Sequence, residues 1–304
     1  MNDIAAPLYR GLTAAELEAE YDLRAQVPTY HDHFDAWELA SIGTRARLPH
    51  LRNVPYGPEE RQRLDLFPPV DPGPEPAPLV AFFHGGYWRT LSKDYFSHLA
   101  HPFVEAGIAF AAVGYGLCPR VTFDEVVEDA RTAVLRLHAN AATYGIDPGR
   151  LFVAGHSAGA HLAATLLSTD WTARGAPPEP LAGGCAISGA YDLEPVRLTS
   201  VNGDIRLDPE QAARYSPVRR IPERLPPVIL ALGELECAEF HRQQDDYAEA
   251  LRDAGHDVVA FELPGRHHFD VIDALGEADS PLHCAVRGLV EEGRPRSAVE
   301  GSPS

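Results

Sequence analysis

Short, almost uninterrupted apolar runs recur along this chain, most of them closed by glycine or proline. Pro78-Leu-Val-Ala-Phe-Phe83, Arg150-Leu-Phe-Val-Ala154, Gly184-Cys-Ala-Ile-Ser188, Val228-Ile-Leu-Ala-Leu232 and Asp257-Val-Val-Ala-Phe-Glu-Leu263 are runs of this kind. Three to five apolar residues in succession, bounded by turn residues, read as buried strands. Arg61-Gln-Arg-Leu-Asp-Leu-Phe67 alternates instead and also reads as a strand. Between the runs lie helical patterns. Ala158 to Leu167 is helix-favouring and apolar on one face, and Val121 to about Tyr144 carries Glu125, Glu128, Asp129, Arg131 and Arg136 on a solvated face. Strands alternating with helices predict an α/β domain: a mostly parallel, twisted sheet with helices on both faces.

The same pattern divides the chain. Residues 1–60 precede the sheet and are expected to form an N-terminal arm or partial cap. Thr13-Ala-Ala-Glu16 has the form of a capping box, with Leu12 and Leu17 spaced for a hydrophobic staple, so a helix is expected to about Gln26, ended by Pro28. The main domain spans 61–292. Residues 68–78 hold six prolines and a glycine and read as a loop. A second irregular stretch, 192–227, is long enough to suggest a small cap over a site. Residues 293–304 are polar, rich in Gly, Pro and Ser, and expected to be a disordered tail. No internal repeat is visible.

Composition narrows the class. A chain of 304 residues, 45% hydrophobic, can bury one large core. Its formal charge of −18 disfavours nucleic acid and anionic membrane surfaces as partners. No apolar stretch reaches membrane-span length, and a basic-then-apolar leader pattern is lacking at Met1. Cys118, Cys185, Cys237 and Cys284 show no metal spacing and read as free thiols in a reducing, cytoplasmic setting. His31-Asp-His33 looks metal-like, but a pair at i, i+2 without further ligands reads as a surface loop; neither a metal nor a cofactor is expected.

The chemistry lies where two apolar runs end. Gly155-His-Ser-Ala-Gly159 follows one run and opens a helical pattern, the context of a nucleophile elbow that exposes a serine hydroxyl on a sharp turn. Gly155 and Gly159 suit such a turn because it leaves no room for side chains beside Ser157. Upstream, His84-Gly-Gly-Tyr-Trp88 follows another run, and paired glycines let backbone N–H groups face a ligand as an oxyanion hole does. Together, in this order, the two motifs point to acyl-transfer hydrolysis. Trp88 is expected to pack in the core.

A serine hydroxyl needs a base, and the base needs an orienting acid. After such an elbow they follow in the order acid, then histidine. Val228–Leu232 ends in Gly233-Glu-Leu-Glu236, which sets two carboxylates past a strand end. The loop after Asp257–Leu263 carries His267 and His268, either of which stands where a base belongs. Among fourteen histidines, position alone does not choose between them.

From about Tyr9 to about Arg287 the chain resembles the α/β-hydrolase superfamily, and within it the arylformamidase (kynurenine formamidase) type. The most specific match is His84-Gly-Gly-Tyr-Trp88, with an aromatic pair in place of a third glycine. Further matches are Leu117-Cys-Pro-Arg-Val-Thr122, Gly155-His-Ser-Ala-Gly-Ala-His-Leu162, Ser188-Gly-Ala-Tyr-Asp-Leu-Glu-Pro195, Glu239-Phe-His-Arg-Gln243 and His268-Phe269. The resemblance implies Ser157 as nucleophile, Glu236 as orienting acid and His268 as base. It also implies an oxyanion hole of the Gly85, Gly86 and Ala158 N–H groups. Aspartate is commoner at the acid position, so Glu234 and Glu239 stay open as competitors to Glu236. The implied reaction is hydrolysis of N-formyl-kynurenine to formate and kynurenine in tryptophan breakdown. A carboxylesterase acting on small acyl esters is the alternative, and a non-catalytic hydrolase-fold binding protein a remote one. Tyr87 and Tyr191 follow strand ends on the ligand side of such a sheet and are expected to face the substrate pocket. A small-molecule substrate is the expected partner, and a homodimer is compatible with the sequence.

Overall fold

The computed structural model describes residues 6–294, so nearly all of the expected tail lies outside the described residues. Its strands are β1 (Leu51–Pro55), β2 (Arg63–Phe67), β3 (Ala77–Phe83), β4 (Ala109–Val113), β5 (Ile146–His156), β6 (Gly183–Ile187), β7 (Val228–Gly233) and β8 (Val258–Leu263). They form one sheet ordered β1-β2-β4-β3-β5-β6-β7-β8. β2 runs antiparallel to β1 and β4; the remaining neighbours are parallel. The apolar runs all become strands of this sheet: β6 and β7, with β4, are buried at every position, as strands with helices on both faces must be, whereas the run at 257–263 forms the edge strand β8 and is only partly buried. This is the α/β-hydrolase fold.

Parallel pairing brings the carboxyl ends of β3, β5, β6, β7 and β8 to one edge of the sheet. Phe83 pairs with Gly155, His156 with Ile187, and Gly233 with Leu263. Crevices at the carboxyl ends of an open α/β sheet are where ligands bind.

Helix Ala158–Leu167 is buried along its whole length against β3, β5 and β6. Helix Phe123–Ala139 starts on a capping box, in which Thr122 and Glu125 bond each other's backbone N–H at 3.2 and 2.7 Å. Helix Ala238–Asp253 packs on β7 and β8, and helix Pro281–Glu292 on β6 and β7.

The arm is more ordered than its sequence suggests. The Thr13–Glu16 capping box forms, and Leu17 is fully buried. The helix does not run unbroken to Gln26. It ends at Tyr21, and Asp22 caps a new turn, Leu23–Gln26, by accepting from the Ala25 N–H at 3.1 Å. A further helix, Tyr30–Arg47, then crosses to residues 93–99. It takes up the His31–His33 pair, so the expected surface loop is a helix there. The stretch 192–227 is likewise not irregular throughout: it folds into short helical turns at Leu193–Arg197, Asn202–Ile205, Pro209–Arg214 and Pro217–Arg219. No helix among the described residues is long and apolar enough to cross a membrane.

Candidate active site

Ser157 stands between β5 and helix Ala158–Leu167 with φ +56° and ψ −119°, a conformation that serine rarely adopts. Its neighbours make that turn possible. A Cβ on Gly155 would fall 2.1 Å from the Gly159 carbonyl oxygen, and one on Gly159 would fall 1.9 Å from that of Phe83. Both positions therefore require glycine, and the two together press the elbow against the end of β3. The Ser157 N–H donates to the Ile187 carbonyl at 2.8 Å, which ties the turn to β6.

From this serine a hydrogen-bonded chain runs inward. Ser157 Oγ lies 3.0 Å from His268 Nε2, and His268 Nδ1 lies 2.7 Å from Glu236 Oε2. Glu236 is anchored in turn: its Oε1 accepts from the Gly233 N–H at 2.8 Å and from the Ser188 hydroxyl. The Glu236 N–H donates to the Gly233 carbonyl at 3.1 Å, so a tight turn folds the longer glutamate arm back onto the end of β7. Burial acts to raise this carboxyl. His268 and the three hydrogen bonds outweigh it and hold the carboxyl below the usual range, so Glu236 is ionised.

The competing residues go elsewhere. Glu234 accepts from the Gly265 N–H at 2.8 Å on the surface. Glu239 pairs with Arg242 at 2.7 Å and accepts from the Tyr21 hydroxyl at 3.1 Å. His267 Nδ1 accepts from the Phe269 and Asp270 N–H groups at 3.1 and 3.2 Å, and its ring meets His33 edge-on. The structure thus brings Ser157, His268 and Glu236 together and leaves out Glu234, Glu239 and His267.

The glycine turn lies beside the elbow. A Cβ on Gly85 would fall 3.2 Å from Ser157 Cβ, and Gly86 has φ +112°. Each carbonyl of the turn is engaged. The His84 carbonyl accepts from the Tyr115 hydroxyl at 2.6 Å, that of Gly85 pairs with His84 Nδ1 at 2.7 Å, and that of Gly86 accepts from the Arg89 and Thr90 N–H groups at 3.0 Å. In a trans peptide the N–H points opposite to the preceding carbonyl. Holding the His84 and Gly85 carbonyls therefore fixes the direction of the Gly85 and Gly86 N–H groups. His84 itself is fully buried and stacked on Tyr115, a support of the turn. Trp88 is buried against Phe123 and His161, as expected of a core residue.

A cavity of about 160 Å³ opens over Ser157 and His268. The arm supplies one wall through Tyr21, Leu23, Phe34 and Trp37; Gly85, Gly86, Tyr87 and Arg89 supply another, and Ser200 and Val201 reach in from the 192–227 stretch. Tyr87 lines the cavity as expected, and its hydroxyl donates to the Tyr21 carbonyl at 2.8 Å. Tyr191 does not. It is buried and stacked on Tyr247 with ring centroids 4.6 Å apart, because the chain after Ser188 turns back into the core. The Tyr191 and Asp192 N–H groups are held there by Gln243 Oε1, at 2.5 and 2.7 Å.

The sequence pattern did not single out three contributors. Ser188, just past β6 with φ +55°, donates to Glu236. His156, inside the elbow motif, meets the His268 carbonyl with its Nε2 at 2.8 Å. The arm's aromatic residues stand far from the motifs in sequence. For Ser188, a small polar residue directly after an apolar run was the available signal; for the arm there was none. No group of three His, Cys, Asp or Glu side chains among the described residues is placed to hold a metal ion.

Fold and site define a serine hydrolase, and the chain belongs to the α/β-hydrolase fold family, which residues 80–271 match. Among its relatives, the kynurenine formamidase of Danio rerio is 34% identical over 88% of this chain and 93% of its own. That of Salmo salar is 35% identical over 82% and 85%. A crystal structure of a candidate thioesterase from Silicibacter sp. tm1040 superposes with a TM-score of 0.77 at 32% identity, covering 90% of this chain and 99% of that one.

Proposed function

We propose that this hydrolase cleaves the formyl amide of N-formyl-kynurenine or a related aryl formamide through an acyl-enzyme on Ser157. The observation that carries this reading is the hydrogen-bonded run Ser157–His268–Glu236, opening into a cavity with aromatic walls. The similarity to two kynurenine formamidases over most of the chain supports the choice of substrate.

In this mechanism His268 Nε2 takes the proton of Ser157 Oγ as the oxygen attacks the formyl carbon. Glu236, already ionised, keeps the imidazole in the Nδ1–H tautomer and stabilises the imidazolium that forms. The Gly85, Gly86 and Ala158 N–H groups receive the oxyanion, each such donor being worth about 10²- to 10³-fold in rate. Collapse breaks the C–N bond, and His268 returns the proton to the departing aniline nitrogen. Water, deprotonated by the same imidazole, then releases formate from the serine. An aryl amine leaves more readily than an alkyl amine, so site and substrate act in the same direction. The reaction needs no metal or cofactor.

The test is a comparison of kcat/KM for an aryl formamide, an alkyl formamide and a short p-nitrophenyl ester. The proposal expects the aryl formamide to exceed the alkyl formamide by at least tenfold. Rapid ester hydrolysis with neither formamide cleaved would assign the site to a carboxylesterase.

A further inference from the structure

His156 is not used in the mechanism above, although it lies next to Ser157 and lines the same cavity. Its ring is buried, and its two nitrogens face different surroundings. Nε2 meets the His268 carbonyl at 2.8 Å. A carbonyl only accepts, so Nε2 carries the hydrogen and Nδ1 carries a lone pair. Burial, with His268 beside it, pushes this imidazole down to about 3, so it stays neutral and Nδ1 stays an acceptor. Nδ1 sits 3.2 Å from the point that a Cβ on Gly85 would occupy, and Ser157 Cβ lies at the same 3.2 Å from that point. Nδ1 therefore lies beside the glycine turn, against the same position of Gly85 that Ser157 Cβ approaches. Among the described residues it has no hydrogen-bond partner, yet it is not among their sealed, unpartnered polar atoms. It is thus a fixed acceptor beside the reacting centre.

We infer that His156 Nδ1 accepts the N–H of the scissile amide and thereby sets the preference of this site for amides over esters. This rests on the serine-hydrolase reading of Ser157 and deepens the formamidase proposal. An amide carries a hydrogen on the leaving nitrogen; an ester carries a lone pair at the corresponding oxygen. Facing a fixed lone pair, the amide gains a hydrogen bond, whereas the ester oxygen meets an acceptor and leaves Nδ1 unpaired. A site built to bond an N–H discriminates strongly against the analogue that lacks it. As attack makes the nitrogen pyramidal, this bond also holds its hydrogen aside, so the new lone pair turns toward His268, which must protonate it. His156 would then be a specificity-determining contact, separate from its support of the His268 backbone.

Two variants separate those roles. Glutamine places its amide nitrogen where His156 Nε2 stands, so His156→Gln keeps a donor for the His268 carbonyl and removes the acceptor at Nδ1. His156→Asn keeps a polar group near Nδ1 and withdraws the donor. The assay compares a matched pair, formanilide and phenyl formate, on both variants and the wild type, with thermal midpoints to verify folding. The inference expects His156→Gln to lower kcat/KM for the anilide about 10- to 100-fold further than for the ester, the range of an unpaired buried polar group. It expects His156→Asn to lower both substrates by similar factors. Equal losses of anilide and ester turnover in His156→Gln would overturn it and reduce His156 to a support of the base loop. A wild type that releases no formate from N-formyl-kynurenine, while His156→Gln still shifts the anilide-to-ester ratio on the matched pair, would overturn the choice of substrate and leave the acceptor role standing.

Discussion

At the scale of single residues the site is built from directional contacts, and each predicts a separable loss. Glu236 is the one carboxylate among the described residues that bonds the His268 ring, and it is held by His268, Gly233 and Ser188. Glu236→Gln keeps the shape but offers the wrong tautomer partner, and should cost about 10⁴ in kcat by analogy with other triads. Glu234→Gln, at an exposed position, should change kcat less than threefold. The pair is checked by steady-state kinetics on one substrate. A near-normal Glu236→Gln enzyme would remove the carboxylate from the mechanism. His268 and His267 form a second pair. Replacing His268 removes the group in contact with Ser157, whereas replacing His267 disturbs only a turn. Motifs made the serine, both glycines and the two candidate histidines legible in the sequence. The choice among neighbours was not, because it depends on which way a loop turns after its strand. Tyr191 illustrates the point: it follows a strand end on the ligand side, yet its ring packs on Tyr247 and never reaches the cavity.

At the scale of elements, the site is a product of strand ends. β3, β5, β6, β7 and the loop after β8 each deliver one part of it, and those strands were readable in the sequence as continuous apolar runs. Other elements were hidden for physical reasons. β1 is short and almost wholly exposed, so it carries no alternation. β4 reads Ala-Phe-Ala-Ala-Val, which suits helix and strand alike. Helix Tyr30–Arg47 buries only Trp37, Ser41 and Thr44, two of them polar, and so shows no apolar stripe. Two predictions belong here. In Gly159→Ala the new Cβ would meet the Phe83 carbonyl oxygen at 1.9 Å, so strand and helix must part. The loss should be at least about 1–3 kcal/mol, measured by denaturant unfolding; an unshifted midpoint would contradict the close packing of the elbow. The arm is held to the body by Tyr21, whose hydroxyl bonds Glu239 at 3.1 Å and Gln243 at 2.7 Å. Tyr21→Phe removes a net contribution of roughly 1 kcal/mol. It should raise KM several-fold with a smaller change in kcat, because the arm walls the cavity but does not touch the relay. An equal fall in kcat at constant KM would place Tyr21 in the chemistry instead.

At the scale of the whole molecule, the buried histidines make stability depend on pH. Burial pushes His84 and His156 down to about 3 and His98 and His161 down to about 4. Unfolded, each would titrate near 6.5. Between those values the unfolded chain holds more protons than the folded one, so stability rises with pH. The contribution is fully present above about 6.5 and is lost progressively as pH falls toward 4, at up to about 1.4 kcal/mol per unit for each histidine. Guanidinium unfolding at pH 8, 6 and 5 should show a falling midpoint across that interval, and a flat profile would mean that these rings are not neutral and buried. Activity is a separate property of the same molecule, and the proposed reaction begins with attack of Ser157 on the formyl carbon of an aryl formamide. The most direct measurement is formate release from N-formyl-kynurenine by the wild type and by folded Ser157→Ala under identical conditions. The account predicts steady turnover by the wild type and a loss on the order of 10⁴- to 10⁶-fold in the alanine variant. No formate from the wild type, or more than about a tenth of its rate surviving in Ser157→Ala, far above the residue left by a triad knockout, would contradict it.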